Sequence, residues 1–285
     1  MAYSTLVSTE RLARHLNDAD WRLFDCRHDL GKPELGAAQY AEAHIPGAVH
    51  AHMDRDLAAP PTGWNGRHAL PSADAFAAWL GAQGLRPTDQ VVAYDASGGT
   101  TASRLWWMLR WLGHEAAAVL DGGLAAWTSE GRPVTAERPN VAATIYRAKP
   151  QDAKHVDAAT VVAHLGRDDM VVLDARAADR FRGEVEPIDP VAGRIPGSRN
   201  RFCGQNLAAG RFKNPDALRA EFTALLTDAG NPEHIAQTLR EALTNPDAAR
   251  RRAEKAQLRA RSFTWEDTAE KTLAAYEEVG MMNAE

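Results

Sequence analysis

The sequence predicts an α/β fold in which one parallel-sheet unit occurs twice, the second time truncated, followed by a helical tail. Three observations predict it. Leu23-Phe24-Asp25-Cys26-Arg27 returns about 150 residues later as Val172-Leu173-Asp174-Ala175-Arg176, and His44-Ile45-Pro46-Gly47 returns as Arg194-Ile195-Pro196-Gly197. Short apolar runs alternate with helical patterns through the first half, as in a sheet covered by helices on both faces. The first copy continues through Val91-Val92-Ala93-Tyr94 into Asp95-Ala96-Ser97-Gly98-Gly99-Thr100, whereas the second, after Asn214-Pro215-Asp216-Ala217-Leu218, meets a glycine-free helical pattern at Pro232–Leu243. The glycine loop, the place where such a unit carries chemistry, is missing from the second copy.

The elements follow in order. Ser8 is an N-cap, and Leu12 and Leu16 share one face of a first helix that Asp18-Ala19-Asp20 closes. Arg22–Asp25 is a short strand; Ser72 caps a helix carrying Phe76, Trp79 and Leu80 that stops near Gly84. Val91–Tyr94 is a buried strand, and Ala102–Leu112 a helix with Leu105, Met108, Leu109 and Leu112 on one face, ended by Gly113. Ala117–Leu120 is a further strand, and Asp121-Gly122-Gly123 turns into a helix with Trp127. This gives a first domain over 5–138, a linker over 139–155 with Pro139 and Pro150, a partial second domain over 156–228 and a tail over 231–285. In the tail, Asn231–Leu243, Pro246–Arg259 and Trp265–Glu278 read as helices; Asn245 caps the second, and Thr264 with Asp267 caps the third.

Composition narrows the function. The chain is 45% hydrophobic and 25% charged with a formal net charge of −5, which offers no broad basic surface for nucleic acid. Arg250-Arg251-Arg252 lies among Glu241, Asp247 and Glu254 and reads as a solvated helix face. No apolar run is long enough to span a bilayer, and Met1–Thr5 has no secretory pattern, so a cytoplasmic location without membrane association is expected. The two cysteines, with no pair at ligand spacing, argue against a disulfide framework and a structural zinc site, and no metal or cofactor is expected.

Together these motifs resemble the tandem-domain rhodaneses, the thiosulfate and 3-mercaptopyruvate sulfurtransferases. The likeness rests on Asp25-x-Arg27, His44–Ala48, Tyr94-Asp95-x-x-Gly98-Gly99, Arg104–Trp107, Leu120–Gly123 with Trp127, Asp174–Arg176, Arg180–Gly183 and Ile195-Pro196-Gly197 with Asn200, spanning residues 5–228. The resemblance implies a catalytically silent first domain and a second domain whose cysteine opens a loop reading like Cys-Gly-Ser-Gly-Val-Thr. It implies a small anionic sulfur donor, thiosulfate or 3-mercaptopyruvate, whose sulfane sulfur passes to a thiophilic acceptor through a cysteine persulfide. Such a cysteine must be a thiolate, which the N–H groups of a tight loop and a helix N-terminus stabilise.

By alignment, Asp95 takes the nucleophile position of the first copy and reads as a structural loop residue, with covalent use of the carboxylate as the alternative. Cys26 lies inside the Asp-x-Arg motif and reads as core. Cys203 in Cys203-Gly204 resembles the start of the loop but follows Ile-Pro-Gly, where the family has an apolar or aromatic residue, and no buried strand precedes it. Arg180 matches the arginine that the family places near the donor's anionic group, with Arg182 two residues on; a surface pair with Glu184 or Glu186 is the alternative. Arg194 replaces the second histidine of the repeated motif.

The tail, through Arg261-Ser262-Phe263-Thr264-Trp265-Glu266 above all, resembles the C-terminal helices of GT-B-fold nucleotide-sugar glycosyltransferases. Their donor site lies upstream of that segment, so no nucleotide-sugar site is implied here. A fusion near residues 226–231 is expected. The chain then reads as a rhodanese-type sulfurtransferase by descent that is itself inactive, with a non-catalytic binding module as the second reading and a glycosyltransferase fragment as the third.

Overall fold

The fold is seen in a computed structural model, which describes residues 2–151, 155–165, 167 and 169–227. The chain divides into two compact units, Met1–Leu218 and Arg219–Glu285. The tail helices expected over 231–285, with their resemblance to glycosyltransferases, lie outside the described residues.

The first copy runs β1 (Leu6–Val7), α1 (Thr9–Arg14), β2 (Trp21–Asp25), α2 (Leu35–Glu42), β3 (Ala48–His50), α3 (Ala73–Ala82), β4 (Gln90–Tyr94), α4 (Ala102–Trp111), β5 (Ala117–Leu120) and α5 (Gly123–Ser129). Its strands form one sheet in the order β1-β5-β4-β2-β3, and every neighbouring pair is parallel. Alternation along the strands splits the core in two. Phe24, Val91, Ala93 and Val119 face a cluster with Phe76 and Leu80 of α3 and Leu105, Met108 and Leu109 of α4. Leu23, Val92, Tyr94, Ala118 and Leu120 face the other side, with Leu12 of α1 and Trp127 of α5. β4 and β5 are buried on both faces, and their runs Val91–Tyr94 and Ala117–Leu120 are accordingly continuous rather than alternating in apolar character.

The helix starts have local causes. Ser8 Oγ accepts from Arg11 N and Ser72 Oγ from Ala75 N, each satisfying one backbone donor of a first turn. β1, α2 and β3 carry no comparable sequence signal. Gly36, near the start of α2, packs so tightly on the chain after β2 that a Cβ there would stand 1.9 Å from the Arg27 carbonyl oxygen.

The second copy repeats the beginning of this plan: α6 (Ala158–Ala163), β6 (Leu173–Asp174), α7 (Ala178–Arg182), β7 (Arg199–Asn200), the hairpin β8 (Leu207–Ala208) and β9 (Arg211–Phe212), and α8 (Pro215–Thr227). Parallel pairing of β6 with β7 sets Asp174 opposite Asn200, as pairing of β2 with β3 sets Asp25 opposite His50. Caps recur too: Asp157 Oδ1 accepts from Thr160 N, and Asn214 Oδ1 from Ala217 N. Among the described residues no strands corresponding to β4 and β5 follow. The consequence is exposure. Phe24 and Ile45 are 1% and 0% exposed, but Leu173 and Ile195, at matching places, are 37% and 45% exposed.

The stretch read as a linker packs on the first copy along part of its length. Thr144 N donates to the Gly81 carbonyl, Lys149 N to that of Leu112 and Gln151 N to that of Trp111, while Tyr146 is buried beside His114. We therefore expect limited proteolysis of the full chain to leave a resistant fragment ending close to residues 151–155, with the second copy cut first. Cleavage before Thr144, or uniform resistance with a single cooperative unfolding transition, is the contrary outcome.

Candidate functional site

β4 emerges from the centre of the sheet at its carboxyl edge, where the chain order reverses between β2 and β4 and where ligands of open α/β sheets bind. The next residue is Asp95, and its 1% exposed side chain turns back into its own loop. Oδ1 accepts from Ser97 N and Gly99 N at 2.9 Å. Oδ2 accepts from Thr101 N at 2.8 Å, and from Thr101 Oγ1 and Ala102 N at 2.9 Å. The loop thus curls into an anion cradle at the N-terminus of α4, and the anion in it is the protein's own carboxylate. Gly98 and Gly99, at φ +72° and +87°, make the curl possible.

The second copy covers this loop. A Cβ on Gly98 would lie 2.4 Å from Leu207 of β8, and one on Gly99 3.2 Å from Phe212 of β9. Phe212 N donates to Asp121 Oδ1 at 2.8 Å, and Arg211 donates to the Asp121 carbonyl at 3.0 Å and Glu130 Oε1 at 2.7 Å.

Neither cysteine stands in a comparable cradle. Cys26 is 1% exposed among Phe24, Ala51 and Met53, and burial, with Asp25 and Asp95 adding to it, pushes its thiol well above the usual range. Cys203 opens a one-turn 3-10 helix, half-buried, with its backbone N–H donated to the Ala175 carbonyl.

The arginines are held by carboxylates. Arg180 donates to Glu186 Oε1 at 2.7 Å and Asp189 Oδ2 at 2.9 Å, and hydrogen bonding from Arg180 holds the Glu186 carboxyl down at about 2. Arg182 pairs with Glu184 at 2.8 Å. Asp189 also receives Arg67 of the first copy, joining Arg180 to the segment that ends at His68. Arg194 stacks over Phe181, 4.6 Å from the ring centre, where the first copy has His44 bonded between the Tyr40 and Glu137 carbonyls.

Beside that segment lies a group that sequence reasoning missed. His28, Asp54 and His68 converge: His68 Nε2 is 2.7 Å from Asp54 Oδ1, and the His28 and His68 rings are 5.7 Å apart. Burial lowers the His28 pKa from its ordinary value. Arg104 of α4 pins the segment, donating to the Leu57, His68 and Ala69 carbonyls at 2.9–3.3 Å. Arg104 was legible in the sequence as part of the resemblance, but the three ligand-type residues have no shared local spacing to reveal them.

Among the described residues no helix is long and apolar enough to cross a membrane. The Rhodanese-like domain family matches residues 8–130. The chain is 45% identical over 229 residues to a probable 3-mercaptopyruvate sulfurtransferase of Pseudomonas aeruginosa, covering 79% of this chain and 81% of that one. It is 32% identical over 261 residues to the thiosulfate sulfurtransferase of Bos taurus, covering 85% and 83%, a match that extends past residue 228. Among solved structures, it superposes on the 3-mercaptopyruvate sulfotransferase SseA of Escherichia coli with a TM-score of 0.69 at 28% identity, covering 78% of this chain and 84% of that one. With the duplicated Asp-x-Arg and Ile-Pro-Gly motifs in matching places and the parallel sheet behind them, the chain belongs to the rhodanese family.

Proposed function

We propose that this chain is a sulfurtransferase by descent that does not itself carry a persulfide. The domain division at 138, 155 and 228 belongs to this reading: a complete, silent first domain and a second domain without its cysteine loop. The observation that carries it is the filled cradle at Asp95, whose carboxylate takes the N–H groups that a persulfide would need. A carboxylate cannot accept sulfane sulfur, a buried Cys26 is a poor nucleophile, and the whole chain has no third cysteine. The relatives named above take thiosulfate or 3-mercaptopyruvate, and a small sulfur-bearing anion is the ligand class to test here. Arg180 and Arg182 are the substrate-binding candidates, and an anion would have to displace Glu186 and Asp189 from Arg180, and Glu184 from Arg182.

The second reading is a non-catalytic interaction module, favoured by the exposed Val162, Leu173, Val191 and Ile195 of the second copy. For the tail, the Phe263-Thr264-Trp265-Glu266 segment favours a fused, unrelated piece. The bovine match past residue 228 favours a diverged end of the second copy.

Incubating the purified chain with cyanide and either donor decides the catalytic question. The expected result is thiocyanate formation no faster than in a Cys26→Ser/Cys203→Ser double variant. Formation above that level, abolished by Cys203→Ser alone, would replace the silent reading with an active one.

A further inference from the structure

The cluster of His28, Asp54 and His68 lies outside everything the sulfur chemistry uses. His28 follows the Asp-x-Arg motif, and Asp54 and His68 lie in the connection from β3 to α3; the ligand atoms of all three lie within 4.8 Å of one another. His28 Nδ1 is buried and has no hydrogen-bond partner among the described residues. A buried ring nitrogen without a partner is unfavourable unless something occupies the space it faces.

His68 sits at φ +56°, in the left-handed region that few non-glycine residues enter. Arg104 holds it there through the His68 carbonyl at 2.9 Å. Backbone strain of this kind persists where the surroundings over-determine a functional position. His52 Nδ1 accepts from Asp54 N at 3.2 Å and so steadies the backbone that bears the carboxylate.

Two imidazoles and one carboxylate are a donor set for a first-row divalent ion, and zinc takes such sets with a fourth position left open. A tetrahedral zinc about 2.0–2.1 Å from each ligand needs them about 3.4 Å apart. From the present spacing of up to 4.8 Å, closing to that distance would take rotation of Asp54 and His68, whose side chains are 39% and 20% exposed. We propose that His28, Asp54 and His68 form a binding site for one Zn2+ ion, open at one position. The ion takes the place of the proton between His68 Nε2 and Asp54 Oδ1, and in the neutral ring that proton moves to Nδ1, leaving Nε2 as the ligand.

The test is calorimetric titration of the full, tag-free, metal-stripped chain with zinc chloride, alongside the visible spectrum on adding Co2+. One equivalent of zinc should bind, with d–d bands of a four-coordinate site for cobalt. His28→Gln and His68→Gln should each weaken binding by more than the roughly 10–100-fold that loss of an outer partner costs. His15→Gln, which removes a half-buried ring paired with Asp18 at 2.6 Å and away from the cluster, should leave it unchanged. Metal-free melting curves show whether each variant is folded; if a histidine variant is not, the partly exposed Asp54→Asn takes its place. Absence of a bound equivalent, or full affinity in the folded variants, overturns the proposal.

Discussion

Replacing Asp95 with alanine is expected to lower the stability of the first copy by about 3 kcal/mol, because it strands several donors at once. Four backbone N–H groups and the Thr101 hydroxyl now end on that carboxylate. Water can reach some of them from the exposed side at Ser97, but Gly99 and Ala102 are buried. For a domain of this size the loss corresponds to a fall in melting temperature of roughly 10 °C. Scanning calorimetry of the full chain gives the answer, and a fall below a few degrees would mean that the loop holds its shape without the carboxylate. Asp95→Cys tests the cradle in another way. The N–H groups that held the carboxylate should stabilise a thiolate, so the new thiol should ionise at lower pH than the same cysteine in denatured chain, read as thiolate ultraviolet absorbance because the position is 1% exposed to reagents. Ionisation at the same pH in both would rule out an anion cradle.

The second large effect separates two copies of one motif. Arg27 donates to Asp25 through Nε at 3.0 Å and Nη2 at 2.6 Å, and to the Ala43 carbonyl at 2.7 Å. Arg176 makes the same bonds to Asp174, at 3.0 and 2.6 Å, and reaches the Gly193 carbonyl at 2.6 Å. The geometry is one; the burial is not. The side chains of Arg27 and Asp25 are 8% and 0% exposed, against 27% and 13% for Arg176 and Asp174. Arg27→Ala leaves a carboxylate sealed from water and should cost about 3–5 kcal/mol. Arg176→Ala leaves one that water can reach, and should cost about 1 kcal/mol or less. Urea unfolding of both variants in the same chain measures the contrast, and equal losses would show that the second copy is as tightly sealed as the first.

That contrast also divides what the sequence determines by itself from what tertiary structure decides. The serine caps, the apolar run from Val91 to Tyr94, the amphipathic face of Ala102–Leu112 and the duplicated motifs are written in residues a few places apart, because capping and strand or helix periodicity act over that range. They were enough for the α/β fold and the rhodanese family. α2 escaped because its close approach to Arg27 across Gly36 is a packing fact without a local pattern. An inward curl of the N–H groups of Asp95–Thr100 at the start of α4 was expected from sequence and is found, but that they close on the Asp95 carboxylate itself depends on how the loop folds back. Nor could the pairing of Arg180 with Glu186 and Asp189 be told from an anion-binding role, because both readings use the same residues and differ only in what stands nearby. His28, Asp54 and His68 meet only when β2, β3 and the segment before α3 are brought together. Burial and convergence are set by neighbours far along the chain. For that reason Ile45 and Ile195, in the same Ile-Pro-Gly motif, end 0% and 45% exposed: β4 and β5 stand beside the first copy's strands, and no counterparts follow the second copy's among the described residues.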